Sequence, residues 1–397
     1  MLNLQSLKVF VQNSDIAPMV LSLTMYETIQ GNLRGIMVVQ DHMNFMDTFL
    51  PSANQAPVKI QWQYQGYLWT NHFYADGIEN MEMSKMGKKY TIQFLSYTTM
   101  NSNLKNINAT FSGRGDQIIY DIFRELNPLT EDSTQERNFY FDSTSITKGR
   151  YVVPNIKGVE ALNNVINSCY DINKSPLLLY QRLCDEGGTR LTSLYDMDKN
   201  VFGMYESDDF NKKSNFVLKA ALAGADENSD GIDPSLEIGT VSSFMMSEFN
   251  TNFISKISSG IYGSKIQQIS LDKTTSEEIL PAELTEIPTT AYKLQDNLYD
   301  SDTKSIFSTS AESDSHAAHN QKRRLFNMRM QAIGVTAVPG LSCGYSIETD
   351  SGGSDINQSK TDTRYIVESI QHKFAMNDGE FSYLQDIELI RDGSVDV

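Results

Sequence analysis

From its first residues the chain alternates apolar and polar positions. Leu7, Val9 and Val11 share one phase, residues 20–25 repeat the pattern, and an apolar run covers 36–39. Period two buries one face of a strand and leaves the other to solvent. The densest stretch is 58–69, and 90–97 follows after the turn-rich Ala75-Asp76-Gly77. Many short strands with no interleaved helix predict a small antiparallel barrel or sandwich over 1–112.

The period changes at Gly113. Asp116 can cap a helix whose apolar residues Ile118, Ile119, Ile122, Phe123 and Leu126 fall at helical spacing, and Asn127-Pro128 stops it. A second helix carries Val159, Leu162, Val165, Ile166 and Cys169 on one stripe. Residues 176–183 and 189–197 then read as strands joined by a Glu186-Gly187-Gly188 turn, so 113–204 forms a small α+β unit inserted in the chain. Strand character returns at 253–257 and 264–271. From 272 to 311 the chain is rich in Ser, Thr, Asp and Glu without periodicity, which predicts an exposed arm. A helix starts near Glu312 and runs into Lys322-Arg323-Arg324, and 205–320 as a whole reads as an acidic strand-plus-arm region. The last segment, 321–397, holds the end of that helix and a second barrel. Its strands are 326–338, 341–348, 364–374 and 381–390, with turns at Pro339-Gly340 and Asn377-Asp378-Gly379. The expected fold is a β-rich α+β chain, two small antiparallel β-barrels with an inserted α+β domain.

At 397 residues the chain is long enough for two to four domains. With 40% hydrophobic and 21% charged residues, most of it can bury a core. Cys169, Cys184 and Cys343 are too scattered for a disulfide framework or a paired-cysteine zinc site, which points to folding in a reducing cytoplasm. The first fifteen residues lack the basic start and apolar run of a signal peptide, and no stretch has the apolar length of a membrane helix. The net charge of −17 disfavours gripping nucleic acid through its phosphates. Residues 201–320 hold 19 acidic and 8 basic side chains, contributing −11 of that total. That third is a solvated or a repulsive face.

Candidate chemistry is sparse. Asp226, Asn228, Asp230 and Glu237 fit the spacing of a calcium loop, in which carboxylates wrap one hard cation. Asp233 stands where such loops carry an apolar residue, Pro234 follows, and neither flank is an amphipathic helix, so a plain acidic loop is the simpler reading. Gly340-Leu341-Ser342-Cys343-Gly344 spells a nucleophile elbow, with Asp362 and His372 following in hydrolase order. An elbow needs a strand before it and a helix after it, whereas a Pro-Gly turn precedes and an alternating strand follows. Glu312, His316 and His319 would share a helix face, yet that segment reads as a solvated helix rather than a metal site. Arg114-Gly115-Asp116 is a helix entry. Met81, Met83 and Met86 and the aromatics of 58–69 suit core or subunit-interface packing.

Taken in order, barrel, insert, strands with an arm, helix and barrel resemble the central baseplate hub proteins of T4-like contractile phages. The likeness is carried by Leu23-Thr24-Met25-Tyr26-Glu27 with Gly31 and Gly35, by Val153-Pro154-Asn155-Ile156, and by Leu194-Tyr195-Asp196-Met197. Further on it is carried by Arg329 to Gln331, by Val338-Pro339-Gly340, and by Tyr365-Ile366-Val367-Glu368-Ser369-Ile370-Gln371-His372. It spans most of the chain at low identity, and 200–240 and 272–320 depart from it. The resemblance implies a non-enzymatic homotrimer, without a cofactor, forming a ring that adapts a sixfold tail tube to a threefold spike. The implied partners are a spike protein with an OB-type domain, tail tube or tube-initiator proteins and a tape measure protein. DNA would pass through without specific binding, and the ring would not itself insert in a membrane. The implied location is the virion tail baseplate, after assembly in the host cytoplasm.

The competing reading is a calcium-dependent tail-associated receptor or glycan-binding module built on the 226–237 loop. Titration calorimetry separates the two: an acidic loop and a hub give no heat of calcium binding, and a saturable heat lost on Asp230→Ala would establish the site.

Overall fold

The computed structural model describes residues 6–12, 14–29, 31–45, 56–64, 67–85, 87–128, 138–173, 175–183 and 188–199. Beyond these it describes nine strands between residues 215 and 391. Seven strands come from the first quarter: β1 (Ser6–Val11), β2 (Ser14–Asp15), β3 (Val20–Thr28), β4 (Arg34–Asp41), β5 (Pro57–Tyr64), β6 (Tyr67–Ser84) and β7 (Gly87–Ser96). The alternation read from the sequence sets their facing: Val9, Leu23, Met25, Met37, Val39, Ile60, Trp62 and Phe94 are buried. Two expectations fail here. The 58–69 run is two strands, β5 and β6, with Tyr64 opposite Tyr67. Ala75-Asp76-Gly77 is no turn; it sits inside the 18-residue β6, where the register shifts between Ala75 and Gly77 against β7. The residue types that make turns also make bulges, because both need backbone that leaves the ladder. Tyr97, expected to end a strand, instead opens helix α1 (Tyr97–Leu104), capped by the Ser96 hydroxyl, which accepts from the Thr99 N–H at 3.2 Å.

The insert contains β8 (Asn106–Ile107), β9 (Thr110–Arg114), α2 (Gly115–Leu126), β10 (Phe139–Phe141), β11 (Lys148–Val152), β12 (Ile156–Lys157), α3 (Gly158–Ile166), β13 (Leu177–Arg182), β14 (Gly188–Ser193) and α4 (Leu194–Lys199). Ile118, Ile119, Ile122 and Leu126 of α2 meet Ala161, Leu162 and Val165 of α3, together with Cys169, Leu177 and Leu191, in a core of their own. Helix α2 begins one residue before the expected cap, with Arg114 at the cap position and Asp116 in the first turn. Gly115 is required there, since a Cβ would lie 2.1 Å from the Cys169 sulfur. The strand expected over 189–197 stops at Ser193, whose hydroxyl accepts from the Asp196 N–H at 3.1 Å and starts α4.

The remaining strands are β15 (Asn215–Lys219), β16 (Val241–Ser247), β17 (Ser264–Ser270), β18 (Ser276–Ile279), β19 (Thr289–Gln295), β20 (Phe326–Ala332), β21 (Ser342–Glu348), β22 (Tyr365–Asn377) and β23 (Glu380–Arg391). The 272–311 segment, expected to be an unstructured arm, supplies β18 and β19 on either side of β17, one antiparallel and one parallel. Their polar, short sequences hid them, as edge strands carry little apolar signal. The 253–257 strand and the helix from Glu312 lie outside the described residues.

The two barrels expected at the chain ends do not keep separate ladders. Thirteen strands form one sheet in the order β16-β20-β23-β22-β3-β4-β7-β6-β5-β1-β2, with β21 joined to β22 and β15 to β21. The joint is antiparallel pairing of β22 with β3, Ser369 opposite Thr28 through Ala375 opposite Ser22. One apolar cluster consequently combines Leu23, Trp62 and Phe94 with Ile370, Phe374, Ile387 and Leu389. Trp62 stacks on Trp69 at 5.7 Å and meets Phe374 edge-on at 5.8 Å.

Two glycines of this sheet are opposite cases. A Cβ at Gly35 would stand 2.3 Å from the Phe94 ring and 2.7 Å from the Thr24 carbonyl oxygen, whereas one at Gly77 would meet nothing within 4 Å. In thermal unfolding Gly35→Ala should cost about 1–3 kcal/mol by overpacking, and Gly77→Ala should be neutral or gain up to about 1 kcal/mol.

Candidate functional site

The sequence-derived candidates are dispersed. Asp226, Asn228, Asp230 and Glu237 lie outside the described residues, as do Glu312, His316, His319 and Asp362. Ser342 starts β21 and pairs with Ile366 of β22. His372 lies six residues further along β22, roughly 20 Å away at strand rise, so the two cannot form a catalytic dyad. Arg114 and Asp116 spend their charges on each other: Nη2 donates to Oδ2 at 2.7 Å and Nε to Oδ1 at 3.2 Å. Among the described residues no three His, Cys, Asp or Glu side chains converge on a possible metal position.

His372 is instead the centre of a buried polar chain. Its Nε2 is 2.7 Å from Glu27 Oε1 on β3, and its Nδ1 is 2.7 Å from the Tyr383 hydroxyl on β23. Both His372 and Glu27 side chains are fully buried. Among the described residues the second carboxylate oxygen of Glu27 and the indole nitrogen of Trp62 have no hydrogen-bond partner, and the Trp62 ring lies 6.5 Å from the imidazole. Removing one member of such a pair leaves the other desolvated without compensation, a loss of about 3–5 kcal/mol. Sequence reading noticed His372 but missed Glu27 and Tyr383. The available signal was parity: Glu27 falls in the inward phase Leu23, Met25, Glu27, Ile29, where a charge is out of place.

The distal half of β6 makes a second feature. β5 accompanies β6 only as far as Tyr74, opposite Pro57, and beyond Ala75 the described partner of β6 is β7 alone. A second register shift falls between Glu79 and Glu82, and Asn80 takes a φ of 53°. Bulges and charges are how exposed strand edges resist unwanted pairing. Since β7 remains paired with β4 along this stretch, the distal half of β6 is an edge of the sheet, and it presents Met81 at 50% and Met83 at 77% exposure, with Glu79, Glu82 and Lys89 around them. Of the three methionines read as core or interface, Met81 and Met83 are therefore surface residues, and Met86 is outside the described set. Adaptable thioethers on a solvent-facing edge suit a contact surface. Beside it, a cleft of about 300 Å³ is lined by Tyr26, Arg34, Ile36, Asp76, Gln93 and Leu95, with the Arg34 guanidinium 5.6 Å from the Tyr26 ring centre.

The insert is keyed to the sheet by polar contacts. The Ser96 hydroxyl donates to Gln181 Oε1 at 2.5 Å, and Asn71 Nδ2 donates to the Leu183 carbonyl at 3.4 Å. Leu183 itself joins the main apolar cluster.

No family model matches the sequence, and no curated protein matches it. Solved structures share the fold. The tail protein from Neisseria meningitidis MC58 aligns over 98% of this chain and 97% of its own, at 10% identity and a TM-score of 0.55. The 43 kDa tail protein of prophage MuSo2 from Shewanella oneidensis aligns over 97% and 98%, at 9% identity and a TM-score of 0.57. A chain of the lidded Francisella PdpA-VgrG complex aligns over 98% of this chain and 53% of its own, at 11% identity and a TM-score of 0.51.

Cys169 is the one buried thiol in the described residues for which burial can be converted to reactivity. Burial pushes it up to about 12; Asp116 adds to the rise while a hydrogen bond with Ser145 opposes it. At pH 8 the thiolate fraction is then on the order of 10⁻⁴, so iodoacetamide should leave Cys169 unmodified in the folded protein and label it only after denaturation, as read by peptide mass spectrometry.

Proposed function

We propose that the chain is a structural subunit of a contractile phage tail, the baseplate hub that adapts a sixfold tube to a threefold spike as a homotrimeric ring. The observation carrying this reading is end-to-end correspondence: a chain described as a tail protein and another described as a prophage tail protein match this one over nearly their whole length and its own. A shared fold at 9–10% identity supports a shared architecture; the role follows from adding the sequence features. Segments 1–112 and 321–397 are the two tube-like lobes of the ring, 113–204 is the insert, and 205–320 is the acidic region. The role is mechanical rather than enzymatic and needs no cofactor.

The acidic balance fits a conduit. With 50 acidic against 33 basic side chains, the chain repels phosphate and lets DNA pass without specific binding. The partners in this reading are the spike protein through its OB-type domain, tail tube or tube-initiator proteins, and the tape measure protein. Its place is the virion baseplate, reached after assembly in the host cytoplasm. The exposed distal edge of β6, with Met81 and Met83, serves as a contact between subunits.

Light scattering on the purified chain, alone and mixed with its candidate spike protein, tests this reading. The expected mass is near three times 44.7 kDa, with spike binding insensitive to chelator. Paired Met81→Glu and Met83→Glu substitutions should lower the mass toward the monomer while leaving the circular dichroism unchanged. A monomer that ignores the spike would remove the hub reading and leave the fold intact.

A further inference from the structure

The seam between β3 and β22 poses a problem that no turn solves. Glu27 and His372 are 345 residues apart in sequence, so no short connection sets how the two strands align. Its neighbouring pairs in the sheet have short links that do that work: β22 and β23 pair from Asn377 opposite Glu380 outward, and β3 and β4 from Tyr26 opposite Arg34.

Apolar patterning cannot do it either. The inward residues are Leu23, Met25, Glu27 and Ile29 on β3, and Ile370, His372 and Phe374 on β22. A slip by one residue turns every side chain to the wrong face and is excluded. A slip by two keeps all the inward residues inward, so hydrophobic burial discriminates weakly against it.

We propose that the Glu27–His372–Tyr383 chain is the register key of this seam. In the observed register His372 stands opposite Met25, and Glu27 opposite Ile370, so the carboxylate meets the imidazole along the diagonal. Tyr383 stands opposite Phe374 and reaches His372 along the next diagonal, carrying the same selection to β23. A two-residue slip that sets His372 opposite Leu23 carries it roughly 7 Å further from Glu27 along β3 and breaks the 2.7 Å contact, whereas the opposite slip sets it opposite Glu27 itself and is not selected against by this pair. Glu27 has no other side-chain hydrogen bond among the described residues, and its second carboxylate oxygen is already without a partner. The slip toward Leu23 therefore strands the buried Glu27 carboxylate and takes from the imidazole its acidic partner, leaving it Tyr383. The polar chain acts through what its loss costs in the wrong register, while hydrophobic contacts supply the adhesion.

Engineered disulfides read the register directly. Thr24 faces Lys373 in the observed ladder, so the T24C/K373C pair should cross-link in the parent protein. The T24C/Q371C pair, which becomes opposed only after the slip that sets His372 opposite Leu23, should give little product. In the all-apolar background E27L/H372F/Y383F the ratio of slipped to native disulfide should rise by about tenfold or more. H372F alone, which strands Glu27 in every register, should raise the ratio too. E27Q, which keeps an acceptor for the imidazole, should not. An unchanged ratio in the triple variant overturns the proposal. If that variant fails to fold, an unchanged ratio in H372F does so instead. The outcome does not depend on the hub reading, since register is measured on the isolated chain.

Discussion

The ladder between β3 and β22 brings together parts of the chain that are nearly its whole length apart, and the main core exists only when that ladder has formed. Ile370, Phe374 and Leu389 fill the same apolar cluster as Leu23, Trp62 and Phe94. Closing so long a loop costs conformational entropy before any contact compensates it. What offsets that cost is a continuous apolar face on both strands, with Trp62 wedged between Trp69 and Phe374. The buried Glu27–His372–Tyr383 chain adds little adhesion after its desolvation is counted, and its value lies in which alignment it permits.

Around that core the other parts are arranged by what the sheet leaves uncovered. The insert carries its own apolar centre between α2 and α3 and contacts the sheet through Ser96, Gln181 and Asn71. Apolar contacts cross the same boundary: Leu183 joins the main cluster, and Tyr180, Leu194 and Met197 of the insert pack with Ile29, Ile366 and Ile390 of the sheet. The far half of β6 keeps pairing on one side only, and its bulges, carboxylates and exposed methionines give it the character of a contact edge rather than of core.

Legibility in the sequence tracked the strength of period and burial. β1, β3, β4 and β7 were read from alternation, and α2 and α3 from their apolar stripes, because those residues face a core whose periodicity is local. Readings failed where a residue type has more than one use. Ala75-Asp76-Gly77 resembles a turn and is a bulge; Ser193 looks like the middle of a strand and caps α4. β18 and β19 were missed because short polar strands depend on neighbours for their definition. For the site, the hydrolase reading of His372 fails because Ser342 stands on β21 opposite Ile366, roughly 20 Å along β22 from the imidazole.

The amino-acid sequence by itself determined which residues face inward, where the helical insert interrupts the strands, and the acidic balance that disfavours phosphate binding. These depend on side-chain period and charge, which are properties of neighbouring positions. Only the tertiary structure decided that β3 and β22, from the two ends of the chain, share one ladder, that Glu27 is the partner of His372, and that Met81 and Met83 stand in solvent. Each of these is set by a strand from elsewhere in the chain being present or absent alongside. Period two is blind to such neighbours, because every strand in the sheet carries the same alternation and any two of them could in principle pair.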